Sequence, residues 1–445
     1  MRRPVSLDVK QTEHRPIGNA DELVQFLRDA ERPTGDLLLG LEHERLIFPQ
    51  GSNEPVPYGG ASGIGALLNG FKQFGFTEFR EAPDLPVIAM QRGTETLTLE
   101  PGGQFELAGS PFKTALEAHR ENQRHNEEFQ QVLAQLKLRS VNLGYRPFFT
   151  LPEMPWMPKS RYGVMRASLG ARGSHAHHMM LMTATGQVSL DWRDEADCVA
   201  KVVASVRISP LLLAMYANSP IVAGKASGFQ SFRSRVWNDV DRARCGYPQA
   251  MLDGSFSYRA YVEWALDAPL LFIRRDGKYV WPKLTFREFL AKGFDGQPAT
   301  HSDWVDHLST LFPEVRLKKI IEIRAADSNA PEMTSALGAV MRGILYDAQA
   351  REAATHLLPK LSPDEHRALH DAAQKDGLSA AVGNKTLADY AAEFVSIAHR
   401  GLERLGGGDE VLLAPLQKIA AKRAAPAVHV LATFEKYGTS FLDHL

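Results

Sequence analysis

A chain of 445 residues, 44% hydrophobic and 23% charged, has the make-up of a globular protein large enough for one big catalytic domain or two smaller ones. Its formal net charge of -1 supplies no field to draw nucleic acid or an anionic membrane to the surface, so neither is expected as a partner. Cys198 and Cys245 lie in unlike surroundings without C-x-x-C spacing and are expected to be free thiols.

The N-terminal stretch MRRPVSLDVKQTEHRPIG has two arginines and no apolar segment behind them, which predicts no secretory signal and a cytoplasmic address. GNADELVQFLRDA follows, with Asn19 as N-cap and Leu23, Phe26 and Leu27 at helical spacing. LLLGLEHERLIF, Leu37 to Phe48, reads as a buried strand, yet Glu42, His43, Glu44 and Arg45 interrupt it. After a Gly/Pro-rich loop, a short helix is expected around Ala66 to Phe74. TETLTLEPGGQFELAGSP predicts one strand kinked at Pro101-Gly102-Gly103, and a long polar helix runs from about Pro111 to Leu138. SVNLGYRPF and the alternating HHMMLMTATGQVSLDW are read as strands, and Asp194 to Asn218 as a second long helix. Its apolar run, Val202 to Tyr216, carries Arg207 and Pro210 and falls short of the roughly 20 residues a bilayer span needs, which predicts a core helix. PLLFIRRDGKYVW predicts a hairpin turning at Asp276-Gly277, and KKIIEIRAAD a further strand. Beyond Pro331 the chain is Ala- and Leu-rich, with Ser362, Pro363 and Glu365 placed as N-cap, N1 and N3 of a helix. The fold class is therefore α+β: a mainly antiparallel sheet covered by helices, with residues 1–330 as a catalytic core and 331–445 as a helical extension packed on it.

Strand parity sharpens this. Side chains alternate faces, so Glu42 and Glu44 share one, roughly 6.6 Å apart at 3.3 Å per residue. Thr96, Thr98 and Glu100 oppose Leu97 and Leu99, with Glu106 beyond the glycines. Gln187, Ser189 and Asp191 oppose Val188, Leu190 and Trp192, and Glu322 and Arg324 oppose Ile321 and Ile323. Four strands thus present an apolar face and a carboxylate-bearing face, as a sheet does when helices cover one side and a polar cavity the other. Carboxylates that crowded repel one another and require cations; Mg²⁺, which bridges carboxylates to substrate phosphates, suits them.

Other chemistries find no support. No G-x-x-x-x-G-K-[ST] or strand-borne G-x-G-x-x-G occurs, His43-Glu44 lacks the second histidine of H-E-x-x-H, and His175, His177 and His178 resemble a zinc tract only in composition. No G-x-S-x-G marks a serine nucleophile.

GLEHERLIF, LTLEPGGQFELAGSP, MPKSRYGVMR, GQVSLDW, ANSPIVAGKASGFQSFRSRVWNDVDRAR, LTFREFL and DHLSTLFPEVRLKKIIEIRAAD together resemble the plant-type glutamate-cysteine ligases, which plants share with many bacteria, across about Asp36 to Ala326. The resemblance implies a sheet of glutamine-synthetase and guanido-kinase type and an ATP- and Mg²⁺-dependent reaction with two or more ions. Its substrates would be L-glutamate and L-cysteine, joined through γ-glutamyl phosphate into γ-glutamylcysteine, the first step of glutathione synthesis, by a monomer or homodimer. It implies metal ligands at Glu42, Glu44, Glu100, Glu106 and Glu322, with Glu44 and Glu322 also serving the nucleotide. Arg324 is implied to meet the transferring phosphoryl group and Arg233 to hold a substrate carboxylate or phosphate. Arg161, Arg166, Tyr162 and Trp237 are further candidates for substrate binding. Met182 stands where relatives carry a basic residue and His178 where they carry an acidic one, and the cysteine pairs of plant members are missing from the matching segments. Two other readings stay open: a ligase of this family with another amino acceptor, and a guanido-kinase-like or non-catalytic nucleotide-binding protein.

Overall fold

The computed structural model describes residues 14–445. The expectation of no secretory signal falls mainly on residues outside that range.

Helix α1, Ala20–Arg28, begins at Asn19, whose side chain accepts from the Asp21 amide. Strand β1, Leu39–Pro49, is the spine of the main sheet. It is followed by β2 (Thr77–Phe79), β3 (Ala89–Arg92), β4 (Glu95–Leu99) and β5 (Phe105–Ala108), then α2 (Ala115–Leu136) and β6 (Leu138–Val141). Next come α3 (Ser160–Gly170), α4 (Ala176–Met182), β7 (Thr185–Leu190), α5 (Glu195–Tyr216) and α6 (Phe232–Trp237). A two-stranded hairpin, β8 (Ile273–Arg275) and β9 (Lys278–Val280), precedes α7 (His301–Ser309), β10 (Val315–Leu317), β11 (Ile321–Asp327) and α8 (Pro331–Tyr346). The main sheet runs β10-β11-β7-β1-β5-β4-β3-β2, with β6 on the far end of β1. Every pairing in it is antiparallel.

Helices α2, α5 and α8 pack on the apolar face. At Gly338 the backbone of α8 comes so close to β1 that an added Cβ would lie 2.8 Å from Leu41 Cδ2. The core so formed takes residues from Ile17 through Ala420, drawing the C-terminal helices into one packing unit with the sheet. Two of the four ionisable groups in β1 point this way. His43 Nε2 donates to the Asn329 carbonyl at 2.9 Å, which leaves Nδ1 to accept from Arg45 Nε at 3.2 Å. Burial, and then the Arg45 charge, hold the His43 pKa well below its ordinary value. Arg45 itself lies over the Phe129 ring at 4.8 Å.

Helix α5 is long and apolar enough to cross a membrane by composition, and is mostly buried inside the protein. It passes through Pro210 without a break. Proline cannot bond the Val206 carbonyl four residues back. Ser209 Oγ donates to that oxygen at 2.8 Å and His366 Nε2 also reaches it at 2.8 Å, so it is not orphaned.

Three expectations are corrected. TETLTLEPGGQFELAGSP is a hairpin: β4 and β5 pair antiparallel, closed by Glu100 N to Gln104 O and Gly103 N to Glu100 O, both 2.9 Å. Gly103 sits at φ +83, which glycine adopts without strain, so the segment reverses where a kink was expected. HHMMLMTATG folds as α4 before β7, since Met and Leu favour helix and a short apolar run carries no decisive period. SVNLGYRPF is strand only to Val141. The Asp276-Gly277 turn has both residues at positive φ, +49 and +74, as a two-residue hairpin demands. Ser362, Pro363 and Glu365 form the expected capping box.

Candidate functional site

The other face of the sheet floors a cavity of about 810 Å³. Glu44 of β1 pairs across the strands with Glu106 of β5, and Glu106 with Thr98 of β4. Glu100 stands in the β4–β5 turn, Glu42 sits opposite Gln187 of β7, and Glu322 opposite Arg316 of β10. Glu42, Glu44, Glu100, Glu106, Gln187, Glu322 and Arg324 all line the cavity, so strand alternation delivers them to one surface.

The surface has two banks. On the cationic bank, Glu322 is enclosed: Arg316 donates to both its oxygens at 2.6 and 2.9 Å, Lys318 to one at 2.9 Å and Arg324 to the other at 2.8 Å. Burial alone would raise its pKa, but these three cations outweigh it and hold the carboxyl well below its ordinary range. Arg324 also donates to Gln187 Oε1 at 2.6 Å and lies 5.7 Å from the Trp237 ring centre. Its carbonyl accepts from Arg233 Nη2 at 2.9 Å. Arg233 is buried, 3.7 Å from Asp327, and Asp327 is fixed by Ser219, Ser231 and the Asn218 amide.

On the acidic bank, no hydrogen bond or salt bridge within 4 Å reaches the carboxylates of Glu42, Glu100 or Glu106 among the described residues. Among the described residues, Glu44 accepts only from the Thr185 amide, at 3.0 Å. Burial, then Glu100, pushes the Glu44 carboxyl up to about 8. Burial, with Glu100, Glu42 and Glu44 behind it, raises Glu106 well above its ordinary value, and burial followed by Glu322 raises Glu42. Lys159 stands nearby, bonded to Thr98 Oγ1 at 2.8 Å and Leu99 O at 3.0 Å, and burial lowers its pKa to about 8. Such a bank suits divalent cations, and the cationic bank beside it suits phosphate oxygens.

Arg161, Tyr162 and Trp237 line the cavity as expected, Tyr162 donating to Leu99 O at 2.7 Å. Arg166 does not: it is exposed, its guanidinium 4.7 Å from the Trp156 ring centre, because five residues of α3 after Arg161 turn it about 140° around the helix axis. Arg316, Lys318 and Lys159 were not singled out in the sequence, although Arg316 and Lys318 alternate with Val315 and Leu317 in the same two-residue period. In the histidine tract, His175 faces Asp239 at 3.1 Å and His178 Nδ1 meets the Tyr145 hydroxyl at 2.6 Å. Behind the sheet, Glu95, His125 and Glu128 could surround an ion, but Arg92 donates to both Glu128 oxygens and to Glu95, and Arg124 to Glu95 at 2.7 Å, so guanidinium groups already pair both carboxylates. Both cysteines are free.

Fold and site together define the class of protein: an enzyme whose sheet carries an open acidic bank beside a cationic one, suited to phosphate chemistry. The family follows from comparison. Residues 38–435 match the model of glutamate-cysteine ligase family 2, and the chain belongs to that family. It is 33% identical over 429 residues to the chloroplastic glutamate–cysteine ligase of Medicago truncatula, covering 95% of this chain and 84% of that one. The chloroplastic enzyme of Brassica juncea is 33% identical over 419 residues, covering 93% and 80%. In fold, the chain resembles the glutamate–cysteine ligase of Francisella tularensis, solved in complex with AMP, at a TM-score of 0.57 and 13% identity over 93% of this chain and 88% of that one. The cytoplasmic address expected from the sequence is overturned by the plant relatives, which are named as chloroplastic.

Proposed function

We infer that this protein joins the γ-carboxylate of glutamate to the amine of cysteine with cleavage of ATP, giving γ-glutamylcysteine, ADP and phosphate, the first step of glutathione synthesis. The observation that carries the mechanism is the contrast between the two banks. Glu42, Glu44, Glu100 and Glu106 have carboxylate oxygens to spare in a site where burial and then neighbouring carboxylates (Glu322 for Glu42, Glu100 for Glu44 and Glu106) raise the pKa of Glu42, Glu44 and Glu106, which is the fit expected of ligands for Mg²⁺. Bound there, the ions would neutralise phosphate charge and bring the triphosphate up to the carboxylate face. Glu322 is a ligand of a different kind: both its oxygens are taken, so it can turn to a metal only when nucleotide phosphates draw Lys318 and Arg324 away.

In this reading the γ-carboxylate of glutamate attacks the terminal phosphorus, the bond to the ADP oxygen breaks, and γ-glutamyl phosphate forms. Arg324, a planar fork that donates to Gln187 Oε1 at 2.6 Å, turns to the phosphoryl oxygens as their charge develops. Arg233, braced by Asp327, holds a substrate anion. The cysteine amine then attacks the acyl carbon, loses a proton, and phosphate leaves. The chain works as one unit, with 1–330 supplying the reacting face and 331–445 its helical support. The test is mass analysis of the product formed from ATP, Mg²⁺, glutamate and a mixture of the twenty amino acids. γ-Glutamylcysteine as the dominant dipeptide supports the reading; a different γ-glutamyl amide replaces the acceptor, and ATP turnover without an amide removes the ligase.

A further inference from the structure

One wall of the same cleft is made by the β8–β9 hairpin and helix α7, which pack together. Arg274 and Tyr279 are cross-strand partners on the hairpin and both line the cavity, as does Asp306 on α7. These two elements close one charge pair fully: Arg275 donates to both oxygens of Asp303 at 2.7 and 3.0 Å. One residue earlier on the strand and nearly one turn later on the helix, Arg274 and Asp306 carry the same charges. Among the described residues, no hydrogen bond or salt bridge within 4 Å reaches either charged group. Arg161 completes the set, lining the cavity with its Nε buried and without a hydrogen-bond partner. Burial pushes the Asp306 carboxyl up to about 6, with Arg274 and Arg161 acting against that rise.

Opposite charges that line a cleft and stay apart, on a scaffold that pairs their neighbours tightly, leave hydrogen-bonding capacity for a ligand bearing both charges. A polyphosphate does not match, because Asp306 would repel it. A zwitterion does. We propose that Asp306, Arg274 and Arg161 bind the α-ammonium and α-carboxylate of an amino-acid substrate, Asp306 accepting from the ammonium and the guanidinium groups donating to the carboxylate. Phe272 and Met165 line the same cavity and offer apolar contact to the substrate's carbon stem. The proposal rests on the γ-glutamylcysteine reading, in which both glutamate and cysteine present these groups.

The experiment measures KM for glutamate, cysteine and ATP in Asp306→Asn and Arg274→Met, with thermal melts to confirm folding. Loss of a charged hydrogen bond made in both ground and transition states is expected to raise KM for one amino acid at least about tenfold, with kcat changed less than about threefold and KM for ATP within about twofold. Substrate analogues tell the two sources apart. If glutamate is the occupant, the wild-type preference for glutamate over glutarate collapses in Asp306→Asn; if cysteine is, the preference for cysteine over cysteamine collapses in Arg274→Met. Should Asp306→Asn fail to fold, Arg274→Met decides by the same KM criterion. Unchanged KM for both amino acids, or a rise confined to ATP, overturns the proposal. Failure of the wild-type protein to form γ-glutamylcysteine instead overturns the reading on which it rests.

Discussion

Replacing Glu44 by Gln should make the metal-free protein more stable and the enzyme far slower. Burial, then Glu100, pushes the Glu44 carboxyl up to about 8 in the folded protein, from an ordinary value of 4.5. The folded state therefore binds a proton that the unfolded chain has released, and stability falls as pH rises from about 4.5 through about 8. At about 1.4 kcal/mol per tenfold in proton affinity, the penalty is about 3 kcal/mol at pH 7 and at most about 5 kcal/mol above pH 8. Glutamine keeps the acceptor for the Thr185 amide and carries no charge, so Glu44→Gln removes the penalty. The assay is urea unfolding in a chelator at pH 5 and pH 8: the variant should exceed wild type by a margin that is small at the lower pH and several kcal/mol at the higher. Mg²⁺ should narrow the margin by stabilising wild type more. Turnover should fall about 10²- to 10³-fold, as when one electrostatic element around a developing charge is lost. A variant less stable than wild type at pH 8 in chelator, or a margin independent of pH, would mean that Glu44 carries no burial penalty.

Three further substitutions probe the scaffold. Arg316→Met strips Glu322 of its two-pronged partner while Lys318 and Arg324 remain, and should cost about 3 kcal/mol in denaturant unfolding, the low end for breaking a buried pair. Gly103→Ala forces a left-handed φ on a residue with a Cβ and sets that carbon 3.2 Å from Ile64 and Met157, so it should lower stability by about 1–2 kcal/mol and turnover with it, because Glu100 and Glu106 flank the turn. Arg166→Ala, on the exposed side of α3, should leave KM for all three substrates within about twofold of wild type.

The polar face was legible in the sequence because a half-buried strand must alternate, and Glu42, Glu44, Glu106 and Glu322 obey that period. The same rule would have found Arg316, between Val315 and Leu317 on β10, and Lys318, one residue past the strand's end. What parity could not supply is chain direction. Pro101-Gly102-Gly103 signals a change of path, and only the pairing of Leu97 with Leu107 shows that the path reverses. Nor does spacing near a site place a side chain in it: Arg161 and Arg166 come from one motif, but a helix turns one toward the cleft and the other to solvent. The Arg274–Asp306 wall joins segments that pattern alone does not bring together.

In the proposed reaction the glutamate γ-carboxylate is phosphorylated before the amine attacks. Glutamate carrying a heavy oxygen isotope in its γ-carboxylate, turned over with ATP, Mg²⁺ and cysteine, tests this through the mass of the phosphate released. Each phosphate is expected to carry one oxygen from the carboxylate, because the acyl phosphate breaks between carbon and that oxygen. Unlabelled phosphate beside normal yields of γ-glutamylcysteine would contradict it.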